Sequence, residues 1–184
     1  MDKKLIEKSV RDILVAIGEN PDREGLADTP ARVANMYEEI FDGMNRNPLD
    51  HVKLFTEERS DNMVVLKDIR FYSMCEHHLL PFFGFVNVAY IPRDKKILGL
   101  GKIARFAETL SKRPQMQERL THQIGDAIMK GADARGALVM IKAEHLCMNM
   151  CGIKKPGANT ITTEAFGVFK DDADLRAEAL NLIK

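Results

Sequence analysis

The hydrophobic positions in the first part of the chain recur with the spacing of an α-helix. Five apolar residues form one helical stripe: Ile6, Val10, Ile13, Leu14 and Ile17. Gly18 follows this stripe, which is typical of a helix end. A second helix is predicted to begin at Thr29 as its N-cap, with Pro30 as its first helical residue, and to end before Gly43. The sequence therefore predicts an N-terminal helical region over residues 1–50.

After residue 50 the pattern changes to segments rich in β-branched and aromatic residues, which favour strands. Four such segments lie at residues 63–71, 82–91, 137–147 and 160–169. Two helical patterns lie between the second and third strands, at residues 103–110 and 116–128, with Pro114 starting the second; a last helix begins at about Asp172. In residues 82–86 both alternating sets of side chains are apolar, which predicts a strand covered on both faces.

The order of these elements indicates the α+β class. Two strands, two helices and two further strands give a ββααββ arrangement, in which an antiparallel sheet is backed by helices. This arrangement is predicted for residues 51–184, with a C-terminal helix at the end. Together with the N-terminal helices it forms one structural domain overall, which suits a chain of 184 residues.

Composition and charge narrow the possible functions. Hydrophobic residues make up 45% and charged residues 29%, and 27 basic residues balance 27 acidic ones, so the formal net charge is +0. This balance is typical of an ordered globular protein and argues against a basic, nucleic-acid-binding surface. The longest apolar runs are too short for a membrane span, and the opening MDKKLIEKSV is too charged for a signal peptide. We therefore expect a cytoplasmic protein with no membrane or nucleic-acid partner.

The histidines and cysteines cluster at two places. The run Cys75-Glu76-His77-His78 lies in a short connector between two predicted strands, and His145-Leu146-Cys147 ends another. Because side chains two apart on a strand point the same way, we expect His145 and Cys147 to project together. Thiolate and imidazole ligands suit Zn²⁺.

The residue types alone leave three interpretations open. Free cysteines are often simply buried in a core, and a single Cys-x-x-His is a weak signal. A structural zinc would take four closed ligands, drawn from Cys75, His78, Cys147 and Cys151. A catalytic zinc would take three and keep one position open, with the remaining histidines as proton carriers.

Four segments carry a resemblance to a known family: FYSMCEHHLLPFFG, ILGLGKIARF, KRPQMQERLT and EHLCMNMCGIKKPGANT. In order and spacing they are similar to GTP cyclohydrolase I, from about Leu26 to the final helix. The resemblance implies a tunnelling fold and hydrolysis of GTP to 7,8-dihydroneopterin triphosphate and formate, the first step of tetrahydrofolate and pterin biosynthesis. It implies a homodecamer with active sites at subunit interfaces. It also implies Zn²⁺ bound by Cys75, His78 and Cys147, with His77 and His145 as acid/base residues.

The same resemblance indicates how GTP is bound. The run from Gly99 to Ala104 superficially fits a dinucleotide fingerprint, but no βαβ unit surrounds it, and it lacks the glycine spacing and the Ser/Thr of a P-loop. Lys102 and Arg105, one helical turn apart, could equally solvate a polar helix face or bind phosphate; the resemblance favours phosphate. A carboxylate accepts from both guanine N1–H and the 2-amino group, which adenine does not offer together. The resemblance assigns this contact to Glu118, with Gln117 framing the base.

Two positions depart from the family pattern, which carries serine where this chain has Gly101 and arginine where it has Cys151. The first change removes a hydroxyl near the phosphates, and the second removes a charge-assisted contact to them. Two rival functions are a zinc-stabilised interaction module and another tunnelling-fold enzyme acting on a purine or pterin. Enzymes of the latter kind that reduce nitriles need an unligated cysteine nucleophile, which the Cys-Glu-His-His run does not suit.

Overall fold

The computed structural model describes residues 1–58 and 62–184. The chain forms two compact units, residues 1–42 and 43–184. The first unit contains helices α1 (Lys3–Ala16) and α2 (Thr29–Ile40), which pack against each other. Both helices confirm the sequence pattern, but the predicted N-cap was wrong by one residue. Asp28 is the N-cap, because its backbone carbonyl already accepts the first intrahelical hydrogen bond, from Arg32 N–H at 3.0 Å.

The second unit contains seven strands and five α-helices in its described residues, together with a short 3-10 helix at Pro48–His51. The strands are β1 (Leu54–Thr56), β2 (Val64–Cys75), β3 (Pro81–Ile91), β4 (Lys96–Leu98), β5 (Pro114–Gln115), β6 (Gly136–His145) and β7 (Asn159–Gly167). The helices are α3 (Leu100–Ser111), α4 (Gln117–Ala132), α5 (Leu146–Asn149), α6 (Val168–Asp171) and α7 (Ala173–Ile183). None of the helices in the described part of the chain combines the length and apolar character that crossing a bilayer requires.

The main sheet has five strands in the order β5-β2-β3-β6-β7. Its neighbours are antiparallel, except that β5 pairs in parallel with the end of β2. The strands β1 and β4 form a separate antiparallel pair. The sequence of β2, β3, α3, α4, β6 and β7 confirms the ββααββ order, and with it the α+β tunnelling fold.

Two buried clusters lie on opposite faces of the sheet. The larger one packs β2, β3 and β6 against α3 and α4, with Phe82, Phe106 and Ile124 fully buried. The smaller one lies beneath α6 and α7, where Leu138 meets Phe169. Alternation along β6 separates the clusters, because successive side chains of a strand point to opposite faces.

One end of the outer sheet face is left open. Arg70, Phe85, Lys142 and Ile161 form a row across four strands of this face, and Phe85 is 36% exposed and Ile161 59% exposed. The prediction that residues 82–86 are covered on both faces was therefore wrong for the single chain. Helices α3 and α4 cover the inner face of the sheet at residues 82–86. On the outer face, the smaller cluster beneath α7 lies at the opposite end of the strands and does not cover these residues.

Two further predictions from the sequence were wrong, both close to the cysteine and histidine cluster. Pro114 does not start a helix, because Pro114 and Gln115 pair with Met74 and Cys75 as strand β5, and α4 begins at Gln117. Cys147 does not lie on a strand, because β6 ends at His145 and the chain turns into α5. Both differences from the prediction lie at the same end of the main sheet, where a strand is followed by a helix.

Candidate active site

Two cysteines and one histidine converge at one end of the sheet. Cys75 ends β2, His78 lies in the following turn, and Cys147 lies in α5. One ligand atom from each residue lies within 4.8 Å of the others, and the two sulfur atoms are 3.9 Å apart. Backbone hydrogen bonds close the turn, from Leu79 N–H to Cys75 O at 2.9 Å and from Cys75 N–H to Leu80 O at 2.8 Å. The hairpin between β2 and β3 therefore presents Cys75 and His78 to the same point.

The donor set of this cluster fits a zinc ion. Two thiolates and an imidazole are preferred zinc ligands, and three protein donors leave a fourth position for water or substrate. Burial raises the pKa of the Cys147 thiol, and the neighbouring Cys75 thiol adds to that effect. A bound cation reverses this tendency by stabilising the thiolates. Cys75, His78 and Cys147 could together hold Zn²⁺.

His77 lies beside this cluster and is exposed. Its Nδ1 atom is 3.9 Å from Cys75 Sγ, and its ring stands nearly perpendicular to that of His78, with 6.4 Å between centroids. The imidazole is therefore next to the three candidate ligands and open to solvent. A side chain in this position can exchange protons with a bound molecule.

His145 is held more tightly than His77. It ends β6 opposite Phe82 in the register, and the two rings are stacked, with centroids 4.7 Å apart and planes 3° from parallel. Its Nε2 atom is 2.8 Å from Gln117 Oε1. Burial lowers the pKa of His145, and the carboxylate of Glu118 acts in the opposite direction. Burial therefore favours the neutral imidazole, which suits a proton acceptor.

The first two residues of α4 have very different environments. Gln117 is 1% exposed and its side-chain nitrogen contacts three oxygens of β6 and β7. Glu118 is exposed, with its carboxylate near enough to His145 to attract positive charge there. The structure thus brings Gln117 and Glu118 next to His145, although the Gln117 side chain points into the protein.

The candidate phosphate-binding cations lie on a different element. Lys102 and Arg105 are on α3, which begins after Gly99 as the sequence indicates; Lys102 is half-buried and Arg105 is exposed. Arg105 lines a cleft of about 320 Å³ between α3 and β2, which Arg70 and Lys112 also line. Within the described residues, neither Lys102 nor Arg105 makes a side-chain hydrogen bond to the cysteine cluster. Within the described part of one chain, no side-chain hydrogen bond therefore connects these two cations to the candidate zinc ligands.

An ion pair that the sequence did not predict braces the ligand-bearing turn. Arg119 on α4 donates two hydrogen bonds to the Glu76 carboxylate, at 2.6 and 3.0 Å. These bonds lower the pKa of Glu76, and His77 contributes to the same effect. Because Glu76 stands between Cys75 and His77, the pair ties the turn to the start of α4. Glu76 and Arg119 both lie in segments that carry the family resemblance. Their pairing depends on the fold, and no sequence pattern indicates it.

Comparisons with known proteins agree with this site. Residues 6–184 match the family model described as GTP cyclohydrolase I. The chain is 57% identical over 183 residues to GTP cyclohydrolase 1 of Carboxydothermus hydrogenoformans, covering 100% of this chain and 95% of that protein. It is 53% identical over 184 residues to GTP cyclohydrolase 1 of Bacillus subtilis, covering 100% of this chain and 97% of that protein.

A solved structure, archaeosine synthase QueF-Like in its apo form, is 19% identical with a TM-score of 0.47, covering 60% of this chain and 97% of that one. The family model and the full-length relatives are what identify the protein. They extend over nearly every residue, including the cysteine and histidine cluster and the start of α4. The chain therefore belongs to the GTP cyclohydrolase I family.

Proposed function

We propose that this enzyme catalyses the zinc-dependent hydrolysis of GTP to 7,8-dihydroneopterin triphosphate and formate, the first step of tetrahydrofolate and pterin biosynthesis. One observation carries the proposal. In a chain of the GTP cyclohydrolase I family, three zinc-type donors lie within 4.8 Å of one another. Two further histidines, His77 and His145, lie beside them.

The proposed roles follow from the chemistry of each side chain. Cys75, His78 and Cys147 would hold Zn²⁺, which when bound supplies an activated water near neutral pH. Opening the purine imidazole ring and freeing formate both require protons to move on and off nitrogen and oxygen. His77 and His145 would carry these protons, since the pKa of imidazole lies near working pH.

The proposed substrate contacts use α3 and α4. Glu118 would accept hydrogen bonds from guanine N1–H and the 2-amino group, a pair of donors that adenine does not offer together. Gln117 was expected to frame the base, and that contact stays a prediction. Lys102 and Arg105 would pair with the triphosphate, a role supported by the basic cleft beside Arg105.

We also propose that the enzyme is a homo-oligomer, specifically a decamer with active sites at subunit interfaces. The open outer face, with exposed Tyr72 and Ile161, supports burial against other copies. The edge of β7 supports it too, because a free strand edge needs a partner or a cover. Light scattering of the purified protein should give ten times the 20.8 kDa of one chain. A monomer mass would contradict this part of the proposal.

The activity is tested by incubating the zinc-loaded protein with GTP and measuring formate together with the fluorescence of the oxidised pterin. We expect both products from GTP and neither from ATP. The variants His77→Ala and His145→Ala should each lower kcat by about 10²- to 10⁴-fold, the usual contribution of a general acid or base.

Two results would contradict the proposal. Absence of formate with zinc supplied would rule out the reaction. Full kcat in either histidine variant would rule out the role assigned to that histidine. As a matched control, His122→Ala removes an exposed histidine that pairs with Glu164 instead, and it should keep the wild-type kcat.

A further inference from the structure

The Gln117 side chain is buried and almost fully hydrogen-bonded within the protein. Its Nε2 atom lies 3.1 Å from each of three oxygens, the backbone carbonyls of Ile141 and Thr160 and the hydroxyl of Thr162. Its Oε1 atom lies 2.8 Å from His145 Nε2. Both N–H groups and one oxygen lone pair are therefore engaged by β6 and β7 rather than by solvent.

These contacts fix which end of the amide faces His145. Backbone carbonyls only accept hydrogen bonds, so the two carbonyls require the nitrogen of Gln117 to face them. A flipped amide would place Oε1 against the carbonyl oxygens of Ile141 and Thr160, with no hydrogen between these oxygens.

The hydroxyl at Thr162 gives the same answer. Thr121 Oγ1 donates its hydrogen to the backbone carbonyl oxygen of Gln117 at 2.8 Å. At its 2.6 Å contact with Thr162 Oγ1, the Thr121 hydroxyl must therefore accept. The Thr162 proton is thereby used, and its oxygen accepts from Gln117 Nε2. The two N–H groups of Gln117 thus face three acceptors, the two backbone carbonyls and the Thr162 hydroxyl, and Oε1 is left to face the histidine.

The amide orientation in turn fixes the tautomer of His145. A ring nitrogen that faces a carbonyl-type oxygen must carry a hydrogen, so His145 Nε2 is the protonated nitrogen. In a neutral imidazole the other nitrogen, Nδ1, then has a free lone pair. Stacking on Phe82, with planes 3° from parallel, limits rotation of the ring.

We infer that Gln117 is a positioning residue for His145: its amide oxygen accepts from the Nε2–H of the imidazole and so fixes both the orientation of the ring and the tautomer, with Nδ1 as the unprotonated nitrogen. The inference rests on the acid/base role proposed above for His145. It gives Gln117 a function through the histidine, which is distinct from the guanine contact expected from the sequence. Burial of the amide is the observation that separates the two functions.

A double-mutant cycle on the zinc-loaded full chain tests this coupling. Gln117→Met keeps the length of the side chain and removes its hydrogen bonds. We expect kcat to fall roughly 10- to 100-fold, the range for partners that orient a functional histidine, with KM for GTP changed less than about threefold. In the His145→Ala background, the same substitution should lower kcat no further.

Two kinetic results would overturn the inference. If KM rises while kcat is kept, Gln117 acts on the bound base and not through His145. If the effects of Gln117→Met and His145→Ala on kcat multiply, the two residues act independently. Thr162→Val is the milder variant, because it removes one of three acceptors that hold Gln117 Nε2, and it should lower kcat by a smaller factor than Gln117→Met.

Nitrogen-15 NMR of protein labelled at histidine gives a readout that does not depend on activity. The His145 signals, assigned by their loss in His145→Ala, should show a protonated Nε2 in the wild type and a mixture of tautomers in Gln117→Met. Identical tautomers in both proteins would overturn the inference even if the variant is inactive. Full kcat in His145→Ala would instead count against the proposed role of His145, while the spectra would still decide what Gln117 does.

Discussion

At the scale of single residues, Cys151 occupies a position where the family resemblance leads us to expect arginine. Cys151 is half-buried, and its thiol donates to the Cys147 carbonyl oxygen at 3.1 Å. A protonated thiol is neutral and therefore cannot form an ion pair with a triphosphate. An arginine at this position would make a charge-assisted contact, which contributes about 1.5–3 kcal/mol.

We therefore expect Cys151→Arg to lower KM for GTP by roughly 10- to 100-fold, with kcat little changed. Steady-state kinetics on GTP checks this. Cys151→Ser is the matched control, because a hydroxyl of similar size can still donate to the Cys147 carbonyl, and its KM should equal that of the wild type. If arginine leaves KM unchanged, other cations already supply the missing contact.

The sequence indicated the three candidate metal ligands at this scale, because their chemistry shows in their residue type. Cys75, His78 and Cys147 are recognisable as soft metal ligands, and the structure brings their donor atoms together. The anchoring of Gln117 could not be predicted, since its partners Ile141 and Thr160 are distant along the chain. Only the register of β6 and β7 brings their carbonyls to one side chain.

At the scale of elements, Tyr90 connects β3 to the segment that starts α3. The Tyr90 hydroxyl accepts a hydrogen bond from Leu98 N–H at 3.0 Å, and both residues are at most 2% exposed. Leu98 ends β4, and α3 with Lys102 begins two residues later. This bond therefore helps to place the helix that carries the proposed phosphate-binding residues.

Tyr90→Phe should lower the free energy of unfolding by about 1–3 kcal/mol at neutral pH, because it leaves a buried N–H without a partner. Burial raises the pKa of Tyr90 above its ordinary value, an effect that the bond from Leu98 partly opposes. The protonated phenol thus contributes stability fully below about pH 10, and that contribution is lost as pH rises through the folded-state pKa.

The difference in the free energy of unfolding between the wild type and Tyr90→Phe should consequently become smaller above about pH 10. Urea unfolding at neutral and alkaline pH, followed by circular dichroism, measures it. Tyr37→Phe is the matched control, because the ring contact of Tyr37 with Phe41 is kept by phenylalanine, and the change should leave stability unaltered at both pH values. A constant difference across the pH range would contradict the account.

The elements themselves were largely predictable, and the errors share a physical cause. The strands and the two central helices follow from their hydrophobic periods, which are local properties. The short strand at Pro114 and the helical turn at Cys147 are set by pairing with Met74 and by the end of β6, respectively. Both depend on neighbours that a window of local sequence does not contain.

At the scale of the whole molecule, the candidate site lies at one end of the sheet and borders the larger buried cluster, which includes Cys75 and against which Cys147 packs. The large cluster packs the sheet on α3 and α4, and the smaller one packs it on α6 and α7. Their stability comes from buried apolar surface and does not require a metal. A closed structural zinc would be different, because its removal would take away the main source of folding free energy.

Removal of zinc with EDTA should therefore abolish GTP hydrolysis and leave the protein folded. A ligand present at about 100 times its Kd contributes roughly 2.7 kcal/mol, which lowers Tm by about 5–10 °C on removal for a chain of this size. Circular dichroism should still show a cooperative transition, and added Zn²⁺ should restore formate release. Cys151→Ser should bind Zn²⁺ as tightly as the wild type in competition with a chromophoric chelator, because Cys151 is not one of the three proposed ligands. Unfolding by EDTA together with loss of zinc from Cys151→Ser would instead establish a closed four-ligand structural site.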